Sequence, residues 1–112
     1  MNEPDRLVLL QILEYCESIS SRIEEFGIDE DLFVENSAYF DMLLMPVFQI
    51  GELAGALSRE FADADTMPWH AINGFRNIIA HDYGVVEPLW AWNTIQTDIP
   101  ALEEHLASIL AG

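Results

Sequence analysis

Between Asp5 and Phe26 the apolar residues Leu9, Ile12, Cys16, Ile19, Ile23 and Phe26 recur at steps of three and four. That spacing is the stripe of an amphipathic helix, and Gly27 follows as its stop. A second apolar region runs from Ser37 to Phe61, where Phe40, Leu43, Leu44, Val47, Phe48, Ile50, Leu53, Ala54 and Leu57 are dense enough to pack on more than one side. Pro46 interrupts it and should kink this helix or divide it in two. The acidic stretch "ADADTM" (62–67) reads as a loop. Thr66 and Pro68 then offer a cap and a first turn for a third helix carrying Trp69, Ile72, Phe75 and Ile79, closed by Gly84. From Glu87 to Leu110 the spacing of Leu89, Trp92, Ile95, Ile99, Leu102, Leu106 and Ile109 predicts a last helical region, broken or bent at Pro100 with Asp98 as a candidate cap. No strand alternation of useful length, no repeat and no low-complexity linker interrupts the pattern. The fold class is therefore all-α, an antiparallel bundle of four to five helices with short connections in a single domain over residues 1–112.

Composition supports a packed core, since 51% of the 112 residues are apolar. No run approaches the roughly 20 uninterrupted apolar residues of a membrane span, and Met1 to Arg6 is too acidic and polar for a signal peptide, so a cytoplasmic protein is expected. The single cysteine, Cys16, lies among Ile12, Ile19 and Ile23 at helical spacing and reads as a small buried hydrophobe.

Charge changes the picture more. Twenty acidic residues face four arginines and no lysine, a formal net charge of −16. Such a field repels polyanions and membranes, and taken alone it argues against nucleic acid as a partner. It equally suits a cytoplasm of high salt, where carboxylates keep proteins soluble. Composition does not separate the two.

Few residues are arranged for chemistry. His70, His81 and His105 are too scattered for a ligand pair on one helix face, so no metal site is expected. There is no Gly-rich phosphate loop and no G-x-S-x-G elbow. Paired carboxylates such as Glu24 with Glu25 and Glu103 with Glu104 read as a solvated face, and His105 as part of an exposed turn. Trp69 reads as packing. Glu52, a carboxylate in an apolar helix, either pairs with Arg76 or is exposed.

The stretch "RNIIAHDY" (76–83) stands apart. On a helix, Asn77 and His81 stack one turn apart while Arg76 and Tyr83 line a neighbouring strip, so all four could reach one pocket. A plainer reading puts His81 at the negative end of a helix and pairs Arg76 with a nearby carboxylate.

This stretch resembles the R-x4-H-x-Y signature of HEPN domains, most closely the HepT-like toxins of HepT/MntA-type toxin–antitoxin pairs. The resemblance extends through "IGELAGALS" (50–58), "MPWHAINGFRNIIAHDYGVV" (67–86) and "LWAWNTIQTDIPALEEHL" (89–106), in the family's order and spacing. It implies a HEPN-like helical bundle forming a symmetric homodimer, with a metal-independent ribonuclease site, free of cofactors, where two motifs meet. Residue by residue it implies Arg76 and His81 as catalytic, Asn77 as supporting, and Tyr83 as the target of adenylylation by an MntA-like nucleotidyltransferase antitoxin. Cleaving RNA through its own 2′-hydroxyl needs a base, an acid and positive charge for the phosphorane oxygens, and two-fold symmetry would supply the second His81 and Arg76. The charge is the departure: at twice −16, such a dimer must gather its few arginines in the cleft, and nothing in the sequence places Arg6, Arg22 or Arg59 there. The alternative is a non-catalytic HEPN-like module that partners a nucleotidyltransferase or binds nucleotide.

Overall fold

The computed structural model describes residues 1–111, the side chain of Asp82 excepted. Among the described residues there is no strand, and the chain forms seven α-helical segments: α1 Glu3–Phe26, α2 Glu30–Glu35, α3 Ser37–Ala54, α4 Arg59–Ala64, α5 Trp69–Asp82, α6 Pro88–Asn93 and α7 Ile99–Ala111. The all-α expectation holds, with short helices beyond the four or five that periodicity marks.

Local chemistry explains most boundaries. Asn2 opens α1 by accepting from the Asp5 amide at 2.8 Å, and Gly27 closes it with φ 59°, the left-handed conformation that costs glycine least. Asp29 caps α2 through the Leu32 amide, and Asn36 caps α3 through the amides of Ala38 and Tyr39. The six residues of α2 are too few to show a period, which is why the sequence pattern passes over it.

Pro46 does not divide α3, which runs unbroken from Ser37 to Ala54. A proline at 46 cannot donate to the carbonyl of Met42, four residues back. Arg22 of α1 donates to that oxygen instead, at 2.7 Å. The break falls after Ala54. There Ser58 caps α4, accepting from the Phe61 amide at 3.2 Å, while its own amide and hydroxyl donate to the buried Asp5 at 2.8 and 2.6 Å. Asp5 thus ties the α3–α4 corner to the start of α1. As a consequence Ala62–Ala64 of the expected loop are helical, and only Asp65–Met67 bend.

Three other expectations are corrected. Thr66 does not cap α5, whose N-cap position is Pro68 with no side-chain hydrogen bond. Gly84 is not a left-handed stop: α5 runs into a 3-10 turn at Tyr83–Val85, and Gly27 is the one positive-φ glycine among the described residues. Asp98 caps nothing. The final region passes from α6 to α7 through a π-helical turn at Thr94–Asp98, a wider turn that accommodates Pro100 just beyond it.

The core gathers Leu9, Ile12, Cys16 and Ile19 of α1, Leu43, Leu44, Val47 and Ile50 of α3, Trp69, Ile72 and Ile79 of α5, and Ile99, Leu102 and Leu106 of α7. Burial pushes the Cys16 thiol up to about 12, with Glu103 and Glu17 adding to the effect, which fits a packing role. Phe33 joins α2 to this core between Phe40 and Trp92, each ring 5.2 Å away. α3 is central, packed on α1 along one side and on α5 along another, while α7 closes against α1.

Candidate active site

The site is built on the α3–α5 contact. A Cβ at Gly51 of α3 would lie only 2.7 Å from the backbone nitrogen of Arg76 and 3.2 Å from the Ile72 carbonyl oxygen, so the two helices approach backbone to backbone there. Asn73 donates to the Gly51 carbonyl at 2.8 Å and locks the register. Further along, Tyr83 at the end of α5 reaches Asp41 near the start of α3. Gly51 opposite Arg76 and Asp41 opposite Tyr83 make the pair antiparallel.

Within this frame the helical expectation for residues 76–81 is met, and the side chains fall on the accessible side of α5. Arg76 is half-buried; its Nε donates to Glu52 and its Nη1 to the Asn77 Oδ1 at 3.2 Å. Both readings of Glu52 hold together, since it is exposed and it is the partner of Arg76. Two of the three guanidinium nitrogens are thus oriented by protein, and among the described residues Nη2 is left for another acceptor. Asn77 and His81 are exposed one turn apart. Among the described residues, no side chain hydrogen-bonds to the His81 ring.

Tyr83 is held more closely. Its hydroxyl donates to Asp41, and its ring lies edge-on to Phe40 at 6.2 Å. Burial, then the hydrogen bond to Asp41 and the charge of that carboxylate, push the phenol up to about 12. An apolar groove of about 230 Å³ lies beside it, lined by Met45, Phe48, Ile79, Ala80 and Tyr83. Asp41 gives no sequence signal for this contact because it sits 42 residues from Tyr83 and no local spacing links them.

The remaining cations lie elsewhere. Arg6 pairs with Glu3 at 3.6 Å, Arg22 serves the Met42 carbonyl, and Arg59 lines a cavity with Trp69, His70 and Asn73. His105 is not on a free turn: its Nε2 sits 2.7 Å from Asp65, which also accepts from the Trp69 indole at 2.8 Å. The expected packing role of Trp69 holds, as it is 1% exposed. Among the described residues no three metal-ligating side chains converge, and no helix is long and apolar enough to cross a membrane.

Comparison with known proteins bears on this arrangement. The family model described as "Ribonuclease HepT-like" matches residues 12–109. A protein of Caldanaerobacter subterraneus subsp. tengcongensis described as "Putative RNase" is 32% identical over 106 residues, 94% of this chain and 93% of that protein. A Methanocaldococcus jannaschii protein with the same description is 23% identical over 99 residues, 88% of this chain and 89% of its own. A second protein of that organism, described as "Gamma-glutamylcyclotransferase and putative RNase", is 29% identical over 113 residues, 98% of this chain and 49% of its own length. No solved structure matches the chain.

Proposed function

The chain belongs to the Ribonuclease HepT-like family, and on that premise we propose that it is the toxin of a toxin–antitoxin pair: a metal-independent endoribonuclease whose site is completed by a second copy of the chain. The observation that carries this reading is the arrangement on α5, with a guanidinium oriented by Glu52 and Asn77 and, five residues on, an exposed imidazole to which no side chain among the described residues hydrogen-bonds. Arg76 binds the scissile phosphate through the donors that Glu52 leaves free. His81 moves the proton, an imidazole being able both to take one up through a ring nitrogen and to give one back. One imidazole cannot be base and acid at once, and a two-fold axis beside α5 brings a second. Exposed apolar side chains around the site, Met45, Ile78, Val85 and Leu89, support a surface that a second copy covers.

Purified protein should cut RNA in the presence of chelators. Arg76→Ala and His81→Ala should each lower the rate on the order of 10² to 10⁴ with helix content unchanged. Variants as fast as the parent would remove both residues from the chemistry. Regulation follows from Tyr83: an MntA-like nucleotidyltransferase antitoxin adenylylates its hydroxyl, placing a phosphodiester and a purine beside Arg76 and His81. Coexpression should add whole adenylate units by intact mass, and Tyr83→Phe should abolish the addition.

A second reading is favoured by one observation. Arg76 already spends its Nε on a carboxylate in a chain of net −16. On that reading the protein is a HEPN-like module that partners a nucleotidyltransferase or binds nucleotide without cutting RNA. An inert parent protein that binds nucleotide would place it first.

A further inference from the structure

The end of α5 carries His81 and is not closed by a left-handed glycine. Gly84 is not left-handed, and the helix runs on into the 3-10 turn, whose closing bond, Val86 amide to Tyr83 carbonyl, is 3.4 Å. Upstream, α5 is fixed to α3 by the Asn73–Gly51 and Arg76–Glu52 contacts. His81 lies five residues beyond Arg76, about 7.5 Å of helix. Downstream, the tie to α3 is made by Tyr83, through its hydroxyl to Asp41 and its ring to Phe40.

We propose that Asp41 is a positioning residue of the site: by accepting the Tyr83 hydroxyl it holds the end of α5 on α3 and keeps His81 in register with Arg76. The hold depends on the phenolic proton. Any group attached at that oxygen replaces the O–H, so the bond to Asp41 cannot form, and an anionic group would also face the carboxylate. Modification of Tyr83 would then disarm the site by releasing the helix end as well as by occupying the cleft. The activity arm of this inference rests on the ribonuclease reading of Arg76 and His81.

The test compares Asp41→Ala, Asp41→Asn, Tyr83→Phe and the Asp41→Ala/Tyr83→Phe double variant. The amide oxygen of Asn still accepts a phenol, so Asp41→Asn should stay near the parent. Asp41→Ala and Tyr83→Phe should each lower kcat about ten- to a hundred-fold through misplacement of His81. KM should be nearly unchanged, because Arg76 keeps its separate tie to Glu52. The double variant should be no worse than either single one, since all three break the same contact. The hold is also read without activity, as amide hydrogen exchange at Ile79–Tyr83: faster in Asp41→Ala and Tyr83→Phe, unaltered in Asp41→Asn. Exchange equal to the parent in every variant, or losses in kcat that multiply in the double variant, would overturn the proposal. An inert parent with the exchange pattern intact would sink the ribonuclease reading and leave the hold standing.

Discussion

Replacing Gly51 by Ala tests whether the α3–α5 contact is as close as the site requires. The added methyl would stand 2.7 Å from the Arg76 nitrogen, 3.1 Å from the Arg76 Cβ and 3.2 Å from the Ile72 carbonyl oxygen. Comfortable contact needs about 3.5 Å, so the helices must part by roughly 0.5–0.8 Å. Backbone cannot swing aside as a side-chain tip can, and overpacking of this kind costs about 1–3 kcal/mol. Ala gains about 0.5–1 kcal/mol over Gly in a helix interior, which offsets part of that cost. The net expectation is a loss centred on about 1 kcal/mol and reaching at most about 2.5 kcal/mol. Two other glycines supply the contrast. A Cβ at Gly74 of α5 meets nothing within 4 Å, so Gly74→Ala should keep the propensity gain and stabilise by about 0.5–1 kcal/mol. At Gly55 the nearest atom is the Asn73 Nδ2, at 2.5 Å. That side chain can turn away only by giving up the Gly51 carbonyl, so Gly55→Ala should fall between the two. Urea unfolding followed by helical circular dichroism, at one fixed chain concentration, gives the order directly. A Gly51→Ala protein as stable as its parent, or Gly74→Ala as the worst of the three, would refute the close approach.

Arg22→Ala should cost about 1–3 kcal/mol by orphaning the Met42 carbonyl; Pro46→Ala restores the missing amide donor, so in that background the same change should cost much less by urea unfolding. Asp65 is held below the ordinary carboxylate value: burial alone would raise it, but hydrogen bonds from His105 and Trp69, the His105 charge and the Met67 amide outweigh that. Its stabilisation is therefore present above the unfolded value of about 3.9 and lost as pH falls through the folded one, so Asp65→Asn should flatten the acid limb of stability below about pH 4. Cys16, buried with its thiol pushed up to about 12, should resist thiol reagents in the native protein and label once unfolded.

Residues that act locally were legible in the sequence, and those that act across the fold were not. The α1 stripe and its Gly27 stop follow from spacing and backbone freedom alone. Arg76, Asn77 and His81 lie within two turns of one helix, so their placement on adjoining strips needs only the helical period. Pro46 misled because its missing donor is made good by Arg22 of another helix, which no local rule could foresee. His105 reads as exposed from sequence because Asp65, its partner, lies 40 residues away. Asp41 carries no periodic signal at all, being an exposed residue whose role arises only when α5 is laid antiparallel on α3.

The composite site is tested most directly by mixing chains. Parent and His81→Ala protein, unfolded together in equal amounts and refolded, should distribute at random into dimers, and the RNA cleavage rate is then measured with chelator present. If one site needs both His81 residues, only parental pairs cut, and the rate should fall to about one quarter of an equal total of parent. A rate of about one half would mean that each chain works alone, and the two-fold site would be contradicted.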